Sequence, residues 1–423
     1  MNTNILQGKT VATYTLGCKL NFAETSYLLK SLIAKGLKKV KAGEIADICI
    51  INTCSVTDTA DKKCRQAIRK AIHKHPTAFI VVTGCYAQLQ PKKITEIEGV
   101  SMVLGAKEKF SLFEYLSNQY CEHISKISIT TPIANIREYH PACSADDRTR
   151  FFLKVQDGCN YYCSYCTIPF ARGRSRNASV AETTQAAKKA IAEGAKEIVL
   201  SGVNIGDFGR STNETFFDLI KSLDNIDADI RYRISSIEPD LLTDEIIDFV
   251  AQSKHFTPHF HLPLQSGCNA VLKLMKRRYT RELFAEKVIR IKTLMPNAFI
   301  GVDVMVGTRG ETLEYFEDTL NFLTNLDISQ LHVFTYSERA GTKALEIPYI
   351  VPQTERKRRS DLLHELSTKK LKSFYDSQKG KTGTVLWEAA RKNDQMSGFT
   401  ENYVRVEAPY CKTMVNHFQN VTI

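Results

Sequence analysis

The sequence has no run of 18 apolar residues, so it predicts no membrane-spanning helix. Its first residues, MNTNILQGK, lack the basic segment and apolar stretch of a signal peptide. No Ser-His-Asp arrangement or catalytic pair of carboxylates can be identified. Without an export signal, the twelve cysteines are expected to be reduced thiols and metal ligands rather than a disulfide framework. These absences predict a cytoplasmic protein without membrane contact.

The overall composition is that of an ordinary globular protein, with 43% apolar and 24% charged residues. A chain of 423 residues is long enough for two to three domains. The net charge of +11 favours a polyanionic partner such as a nucleic acid. A merely basic soluble protein is the alternative that the charge leaves open.

The first 105 residues repeat one pattern three times, in which a cysteine follows a predicted strand. The strands are VATYTL (11–16), DICIIN (47–52) and FIVVT (79–83). Helices are predicted at 21–35, beginning with an Asn21 and Glu24 capping pair, and at 58–75. This β-α-β-α-β order predicts a parallel sheet, whose carboxyl edge would bring together Cys18, Cys54 and Cys85. Alternatively each is a small buried hydrophobic residue, as expected for Cys49 and Cys64.

A second cysteine group lies in CNYYCSYC, with the spacing Cys-x3-Cys-x2-Cys at Cys159, Cys163 and Cys166. Three thiolates on one short loop can hold three corners of a four-iron cluster, which leaves one iron open to a small molecule. Zinc-binding or simply buried cysteines are the alternative, but no second Cys or His pair follows within thirty residues. The loop follows a predicted strand at 151–156, at the end where α/β folds bind ligands.

From residue 151 the chain shows six strand-then-helix units, fewer than the eight of a closed barrel, so an open α/β barrel is expected. Capping residues at Ser179 with Glu182, and at Thr280, mark two of its helices. A basic helix is predicted at 354–378, and β-prone segments follow from residue 380. The six predicted strands are 151–156, 196–201, 230–235, 258–263, 298–306 and 329–335.

The string VQDGCNYYCSYCTIPFARGRSR resembles the methylthiotransferase family of radical S-adenosylmethionine (SAM) enzymes. TLGCKLN, INTCSVT and TGCYAQ resemble the three cysteine motifs of that family's N-terminal domain. TLGCKLN, RGRSR (172–176), SSIEP and LHVFTYSERAGTKA are similar to the branch that acts on threonylcarbamoyladenosine in tRNA. The last forty residues resemble a TRAM domain that ends about one strand early.

The resemblance implies two [4Fe-4S] clusters and SAM as cofactors. Cys159, Cys163 and Cys166 would hold the catalytic cluster, and Cys18, Cys54 and Cys85 an auxiliary one. The implied domains are an N-terminal parallel-sheet α/β domain (1–125), a partial (β/α)6 radical SAM barrel (145–377) and a small TRAM-like RNA-binding β-barrel (378–423). SAM contacts are expected in the loops at the ends of the barrel strands, from Gly202, Asn204, Ser236, Glu238, Gln265 and Asp303.

The implied activity is transfer of a methylthio group to C2 of N6-threonylcarbamoyladenosine at position 37 of tRNA. The expected partners are the tRNA anticodon loop, an electron donor such as flavodoxin or ferredoxin, and an unidentified sulfur donor. The basic helix, with Arg356, Arg358 and Arg359, is expected to bind tRNA phosphates.

Three other functions stay open. Two are methylthiolation of isopentenyladenosine-37 in tRNA and methylthiolation of an aspartate in a ribosomal protein. The third is a non-catalytic iron–sulfur RNA-binding sensor, which is disfavoured because a sensor has no need of an open iron beside four ligand-facing loops.

Overall fold

The computed structural model describes residues 5–41, 43–122, 126–144 and 149–423, with the side chains of 121, 122 and 390–392 excluded. The chain forms two compact units. The first contains the described residues up to Ser144, Asp157–Asn160 and Cys166–Arg176, and the second contains the rest. The predicted domain boundaries at 125 and 145 lie outside the described residues, so that division stays a prediction.

A six-stranded sheet of order β2-β1-β3-β4-β5-β6 forms the first unit, and every pairing in it is parallel. The three predicted strands are its centre, within one residue of the expected starts. Every residue of the central strand β3 is buried, as expected for a parallel strand covered on both faces. The strands of this unit are β1 (Thr10–Thr15), β2 (Lys38–Lys39), β3 (Ile48–Thr53), β4 (Phe79–Gly84), β5 (Met102–Leu104), β6 (Ile127–Ile129) and β7 (Ala142–Cys143).

Helix α1 begins directly after Cys18, so the predicted capping role of Asn21 is wrong. Asn21 is instead buried inside the helix, where its side-chain amide donates to the carbonyls of Leu16 (2.7 Å) and Thr53 (3.0 Å). Cys49 and Cys64 are fully buried, which confirms that they are core residues. The helices of this unit are α1 (Lys19–Ala34), α2 (Asp58–Lys74), α3 (Cys85–Leu89), α4 (Pro91–Thr95), α5 (Leu112–Glu122) and α6 (Ile168–Arg172).

The second unit contains the six predicted barrel strands, in two parallel groups of order β10-β9-β8 and β11-β12-β13. A bridge between Ser236 and His261 joins the groups, so the strands form an open α/β barrel. The strands are β8 (Arg150–Lys154), β9 (Glu197–Ser201), β10 (Arg231–Ile234), β11 (His259–Gln265), β12 (Phe299–Val306) and β13 (Gln330–Thr335).

The helices that alternate with these strands begin at the expected caps. Ser179 and Glu182 form the predicted capping box, and the Thr280 side chain accepts a hydrogen bond from Leu283 N–H. The helices are α7 (Val180–Ala192), α8 (Phe216–Asp224), α9 (Asp244–Gln252), α10 (Asn269–Leu274), α11 (Arg281–Leu294), α12 (Leu313–Asn325) and α13 (Gln353–Gln378). None of the described helices is long and apolar enough to cross a membrane.

The C-terminal residues form a curled antiparallel sheet of order β16-β15-β14-β17, which belongs to the second unit. Arg231 donates to the carbonyls of Thr384 (3.0 Å) and Phe399 (2.8 Å), and Arg233 donates to that of Glu401 (3.1 Å). Its strands are β14 (Thr382–Lys392), β15 (Gln395–Phe399), β16 (Arg405–Pro409) and β17 (Phe418–Thr422). The predicted fold class, with a parallel α/β sheet, an open barrel and a small C-terminal β-structure, is confirmed.

Candidate active site

Cys18, Cys54 and Cys85 follow three neighbouring parallel strands of the first unit. Cys54 and Cys85 come directly after β3 and β4, and Cys18 follows β1 by three residues. Since the three strands are adjacent and parallel, these cysteines lie at one edge of the sheet, as the sequence predicts. Cys54 and Cys85 are buried, whereas Cys18 is exposed.

Glycines directly before Cys18 and Cys85 allow the neighbouring segments at this edge of the sheet to lie close together. Gly17 has φ of +101°, and a Cβ atom there would lie 2.6 Å from the Cβ and 2.9 Å from the Sγ of Cys54. Gly84 has φ of +99°, and its Cβ would lie 2.4 Å from the Thr53 carbonyl oxygen. Any side chain at either position would therefore push the neighbouring cysteine segments apart.

The chemistry of these three thiols fits a shared iron–sulfur cluster. Burial, together with the nearby Cys85 and Cys18, raises the pKa of Cys54 to about 12. Burial also raises the pKa of Cys85, while the cations Arg172 and Lys109 act in the opposite direction. A metal deprotonates its thiol ligands outright, so the raised pKa values of Cys54 and Cys85 do not oppose a role as cluster ligands.

A buried network of charged side chains surrounds this edge of the sheet. Arg172 donates to Glu24 (3.0 and 3.2 Å), to Asp157 (3.0 Å) and to the side-chain oxygen of Asn21 (2.6 Å). Glu24 also pairs with Lys109, and Asp157 with Arg176 at 3.0 Å. Three buried cations therefore face two buried carboxylates. A cluster held by three thiolates is an anion, so the one extra positive charge of this network would complement it.

The loop with the second cysteine group is held by backbone and side-chain hydrogen bonds. In the first unit, Cys159 N–H donates to the Gly173 carbonyl (3.0 Å), and Cys166 Sγ accepts from Ile168 N–H (3.4 Å). In the second unit, Cys163 Sγ accepts from Arg277 Nη1 (3.0 Å). Donors aimed at sulfur stabilise thiolates, so the surroundings of Cys166 and those of Cys163 each fit the role of a metal ligand.

Arg277 also pairs with Glu238, one of the predicted SAM contacts. Burial raises the pKa of Glu238 to about 7, although Arg277 lowers it. The Tyr161 hydroxyl in the cysteine loop donates to Asp240, two residues beyond Glu238. The loop after β10 is therefore connected to the cysteine loop within the second unit, which brings Glu238 close to Cys163.

The loop after β9 carries the predicted residues Gly202 and Asn204. Gln156 Oε1 accepts from the backbone N–H groups of Val203 (2.9 Å) and Asn204 (3.0 Å), which fixes the loop. Asn204 is 1% exposed, yet neither polar atom of its side chain has a hydrogen-bond partner among the described residues. A buried amide of this kind is costly unless a ligand satisfies it, which supports a binding role for Asn204.

Two further predicted residues, Ser236 and Asp303, meet through a histidine. His261 Nδ1 lies 3.1 Å from Ser236 Oγ, and its Nε2 lies 2.6 Å from Asp303 Oδ1. His332 lies next to His261, with ring centroids 5.1 Å apart. Gln265 ends β11 with φ of +70° after an irregularity in strand pairing, and no described side-chain hydrogen bond connects it to these residues.

The expected phosphate-binding role of the basic helix α13 is wrong for two of its three arginines. Arg359 is 1% exposed and pairs with buried Glu311 (3.1 Å), and Arg356 is buried and donates to the Val351 carbonyl (2.9 Å). Only Arg358 of the three is exposed, and it pairs with Glu355. The two buried arginines anchor α13 to the barrel and cannot contact a nucleic acid.

Sequence reasoning missed the polar partners of the predicted site. Arg277 lies in the basic run KLMKRRYTR (273–281), and such a run usually forms a solvated helix face. Arg172 lies in the RGRSR segment. His332 lies in a string quoted only for its resemblance, and His261 lies in the predicted strand 258–263, although a histidine within an apolar strand is itself a signal. The missed residues are Glu24, Lys109, Gln156, Arg172, His261, Arg277 and His332.

Two family models match this chain. Residues 10–105 match the model of the Uncharacterized protein family UPF0004, and residues 153–323 match that of the Radical SAM superfamily. Among solved structures, the radical SAM methyltransferase TsrM from Kitasatospora setae aligns with a TM-score of 0.58 at 14% identity, over 77% of this chain and 73% of that chain. This likeness shows the fold alone.

Curated relatives are similar over nearly the whole chain. The threonylcarbamoyladenosine tRNA methylthiotransferase MtaB of Bacillus subtilis is 38% identical over 98% of this chain and 93% of the relative. MtaB of Aquifex aeolicus is 36% identical over 94% and 96%. The tRNA-2-methylthio-N(6)-dimethylallyladenosine synthase of Staphylococcus haemolyticus is 30% identical over 99% and 83%. The chain therefore belongs to the radical SAM methylthiotransferase family, as an MtaB-like enzyme that uses SAM and an iron–sulfur cluster.

Proposed function

We propose that this enzyme methylthiolates C2 of N6-threonylcarbamoyladenosine at position 37 of tRNA. The MtaB relatives, at 32–38% identity over nearly the full chain, support this substrate. The observation that carries the proposal is the presence of two separate groups of three cysteines, one following three neighbouring parallel strands and one in a short loop after β8.

Cys159, Cys163 and Cys166 would hold the cluster that binds SAM, and Cys18, Cys54 and Cys85 would hold an auxiliary cluster. When bound, the two clusters and SAM supply the radical that removes hydrogen from carbon and the methylated sulfur that replaces it. Arg277 and the Ile168 N–H keep two of the loop sulfurs in place through hydrogen bonds. In the first unit, Thr167 donates to the Ser55 carbonyl (3.3 Å), which links the neighbours of Cys166 and Cys54.

The six predicted SAM contacts fall into two kinds. Gly202, Asn204 and Glu238 lie in loops after β9 and β10, where a small ligand can meet backbone, the buried amide and a carboxylate. Gln265 lies at the end of β11, a similar position. Ser236 and Asp303 are instead connected through His261, deeper in the barrel. Position in the fold therefore favours SAM contact by Gly202, Asn204, Glu238 and Gln265 over SAM contact by Ser236 and Asp303.

We further propose the tRNA anticodon loop as the macromolecular partner, a flavodoxin- or ferredoxin-type electron donor, an unidentified sulfur donor and a cytoplasmic location. Basic residues suited to phosphate line one concave surface, formed by Arg65, Arg69 and His73 of α2 and Lys93 of α4. Such contacts would position RNA without reading its sequence.

Mass spectrometry of tRNA nucleosides from a strain that lacks the gene tests the proposal. We expect 2-methylthio-threonylcarbamoyladenosine to disappear and threonylcarbamoyladenosine to accumulate, with recovery by the wild-type gene but not by Cys163→Ala. The matched control is Cys268→Ala, since Cys268 is also a buried thiol of the second unit but lies outside both groups.

Loss of the methylthio group from dimethylallyladenosine instead would assign the enzyme to the second candidate function. The dimethylallyladenosine synthases among the relatives, at 30–33% identity, support that candidate. An unchanged tRNA profile would contradict both.

A further inference from the structure

One arginine of the second unit connects a cysteine of the loop to a carboxylate. The Nη1 of Arg277 donates to Cys163 Sγ at 3.0 Å, and its Nη2 pairs with Glu238. Its Nε–H donates to the Tyr279 hydroxyl (2.9 Å), which in turn donates to the Leu264 carbonyl (2.9 Å). All three nitrogens of the guanidinium therefore have partners, which fixes its orientation.

The backbone before this arginine directs it towards the cysteine loop. Lys276 has φ of +57°, at the position after a helix where glycine is most common. The N–H groups of Lys276 and Arg277 donate to carbonyls in the last turn of α10 (3.0 and 2.9 Å), and this pair of hydrogen bonds reverses the chain. The Met275 carbonyl then accepts from the Ser164 N–H of the loop (3.1 Å). The arginine is therefore held by its backbone as well as by its side chain.

The charges of Arg277 and Glu238 are shielded from solvent. Their side chains are only 3% and 12% exposed, and Cys163 is buried. The rings of Tyr161 and Tyr279 lie 5.9 and 4.9 Å from the guanidinium carbon. A guanidinium stays protonated in proteins, and a charge acts strongly over a short distance where water is excluded. A permanent positive charge therefore contacts the sulfur of Cys163.

A charge at this place would change the electron affinity of a cluster that Cys163 helps to hold. Reduction adds one negative charge to the cluster, so a nearby cation favours the reduced form and a nearby carboxylate favours the oxidised form. A hydrogen bond to a ligand sulfur also stabilises the added negative charge. Arg277 supplies both the cation and the hydrogen bond, whereas Glu238 opposes part of the charge effect.

We propose that Arg277 is a positioning residue that raises the reduction potential of the cluster at Cys163, and that Glu238 limits this increase. The inference rests on the proposed function, because it needs a cluster held by Cys159, Cys163 and Cys166. The step concerned is the uptake of one electron from the flavodoxin- or ferredoxin-type donor, in which no bond forms or breaks. Arg277 makes the reduced state easier for that donor to reach.

The test is a redox titration of the reconstituted full-length enzyme without SAM or tRNA, followed by electron paramagnetic resonance. The Cys18/54/85→Ala background removes the signal of the proposed auxiliary cluster. Burial raises the pKa of Glu238 to about 7, so the titration is run above that pH, where the carboxylate is charged. For Arg277→Gln we expect a reduced-to-oxidised ratio about tenfold lower at a fixed potential, which corresponds to a midpoint about 59 mV lower.

Glu238→Gln should shift the potential in the opposite direction, to a higher value. These opposite signs separate an electrostatic role from a structural one, because a general loosening of the loop would move both variants in the same direction. Arg277→Lys keeps the charge and should restore most of the potential. Tyr279→Phe keeps the arginine but removes the partner of its Nε–H, so it should give a smaller shift with the sign of Arg277→Gln. Lys276→Gln is the matched control with an unchanged potential, since Lys276 is adjacent and carries the same charge but is exposed.

Shifts of the same sign in Arg277→Gln and Glu238→Gln would overturn the proposal, and so would changes of less than about threefold in the ratio for both variants. If Arg277→Gln binds no iron at the loop, the signs of the shifts in Glu238→Gln and Tyr279→Phe decide the question. If the Cys18/54/85→Ala background itself binds no cluster, the proposed function fails first, because the assignment of the loop cysteines is then wrong.

Discussion

Arg172 is the residue on which the charged network of the first unit depends, and its replacement gives the sharpest test of the site. Its guanidinium contacts Glu24, Asp157 and Asn21 at 2.6–3.2 Å, and the carboxyl groups involved are almost fully buried. Arg172→Gln removes the charge and the fork of donors together. Two buried carboxylates then lose a shared cation.

Breaking a buried ion pair by removing one partner costs about 3–5 kcal/mol of unfolding free energy. We expect the lower end of that range here. Glu24 keeps Lys109, and Asp157 keeps both Arg176 and the backbone N–H of Gly158. The double variant Glu24→Gln with Arg172→Gln should recover part of the loss, because the larger part of the cost is the unpaired carboxylate.

Local hydrogen exchange is the appropriate assay, because the only tryptophan of the chain, Trp387, reports on the other unit. A loss of about 3 kcal/mol predicts roughly 100-fold faster exchange for the amides of α1 in the apo-protein. Arg174→Gln is the control, since Arg174 lies in the same segment but is exposed. Exchange within about 5-fold of the wild type, or additive effects of the two substitutions, would refute the reasoning.

The network should also affect the proposed auxiliary cluster. Arg172 opposes the effect of burial on the pKa of Cys85, so its loss makes that thiolate harder to form. We therefore expect reconstituted Arg172→Gln to retain fewer irons than Arg172→Lys, which keeps the charge. Equal iron content in the two variants would mean that the network stabilises the fold without assisting the cluster.

Three other predictions concern the two cysteine groups, a buried ion pair of the barrel and the basic residues of α13 and α2. Anaerobic reconstitution should give about eight irons per chain. The triple variant Cys159/163/166→Ala should lose about half of this iron and all SAM cleavage. The triple variant Cys18/54/85→Ala should lose sulfur transfer but keep SAM cleavage. Burial raises the pKa of Glu197, but Arg233 and Arg231 outweigh it and hold the value at about 2. The ionised pairing therefore contributes its full stability above pH 4.5 and loses it progressively as the pH falls towards 2. Glu197→Gln should lower the free energy of unfolding most near neutral pH, and its difference from the wild type should shrink in acid, as followed by Trp387 fluorescence. Arg359→Met should lower the urea midpoint of unfolding and leave the salt dependence of tRNA binding unchanged, whereas Arg69→Gln on exposed α2 should reduce that salt slope by about one.

Most of the fold could be predicted because its signals are local. Apolar runs ending in Gly-Cys or Thr-Cys mark β3 and β4, and capping residues mark α7 and α11 within one residue of their observed starts. The convergence of Cys18, Cys54 and Cys85 followed from topology, since parallel strands share a carboxyl edge. These features need no knowledge of distant partners.

The predictions failed where a side chain has a distant partner. Asn21 has the residue type of a cap, but its amide is used by carbonyls from two other segments. Arg356 and Arg359 have the sequence pattern of a solvated basic run. In the structure, Arg359 is buried in an ion pair with Glu311, which lies in the loop after β12. A charge pattern along one helix cannot show which residue of another element will neutralise it.

The C-terminal sheet illustrates the same limit at the scale of a domain. Its sequence resembles a small RNA-binding barrel, which favours an independent module. In the structure, Tyr403 packs on Phe299 and His259 of the barrel, and Arg231 and Arg233 donate to carbonyls of the sheet. Removing the sheet would leave two barrel arginines without these carbonyl partners and would expose an aromatic surface. If such a truncation lost activity, the loss would reflect the stability of the barrel as much as RNA binding. The contribution of the sheet to RNA binding must therefore be measured with substitutions on its exposed strand β16.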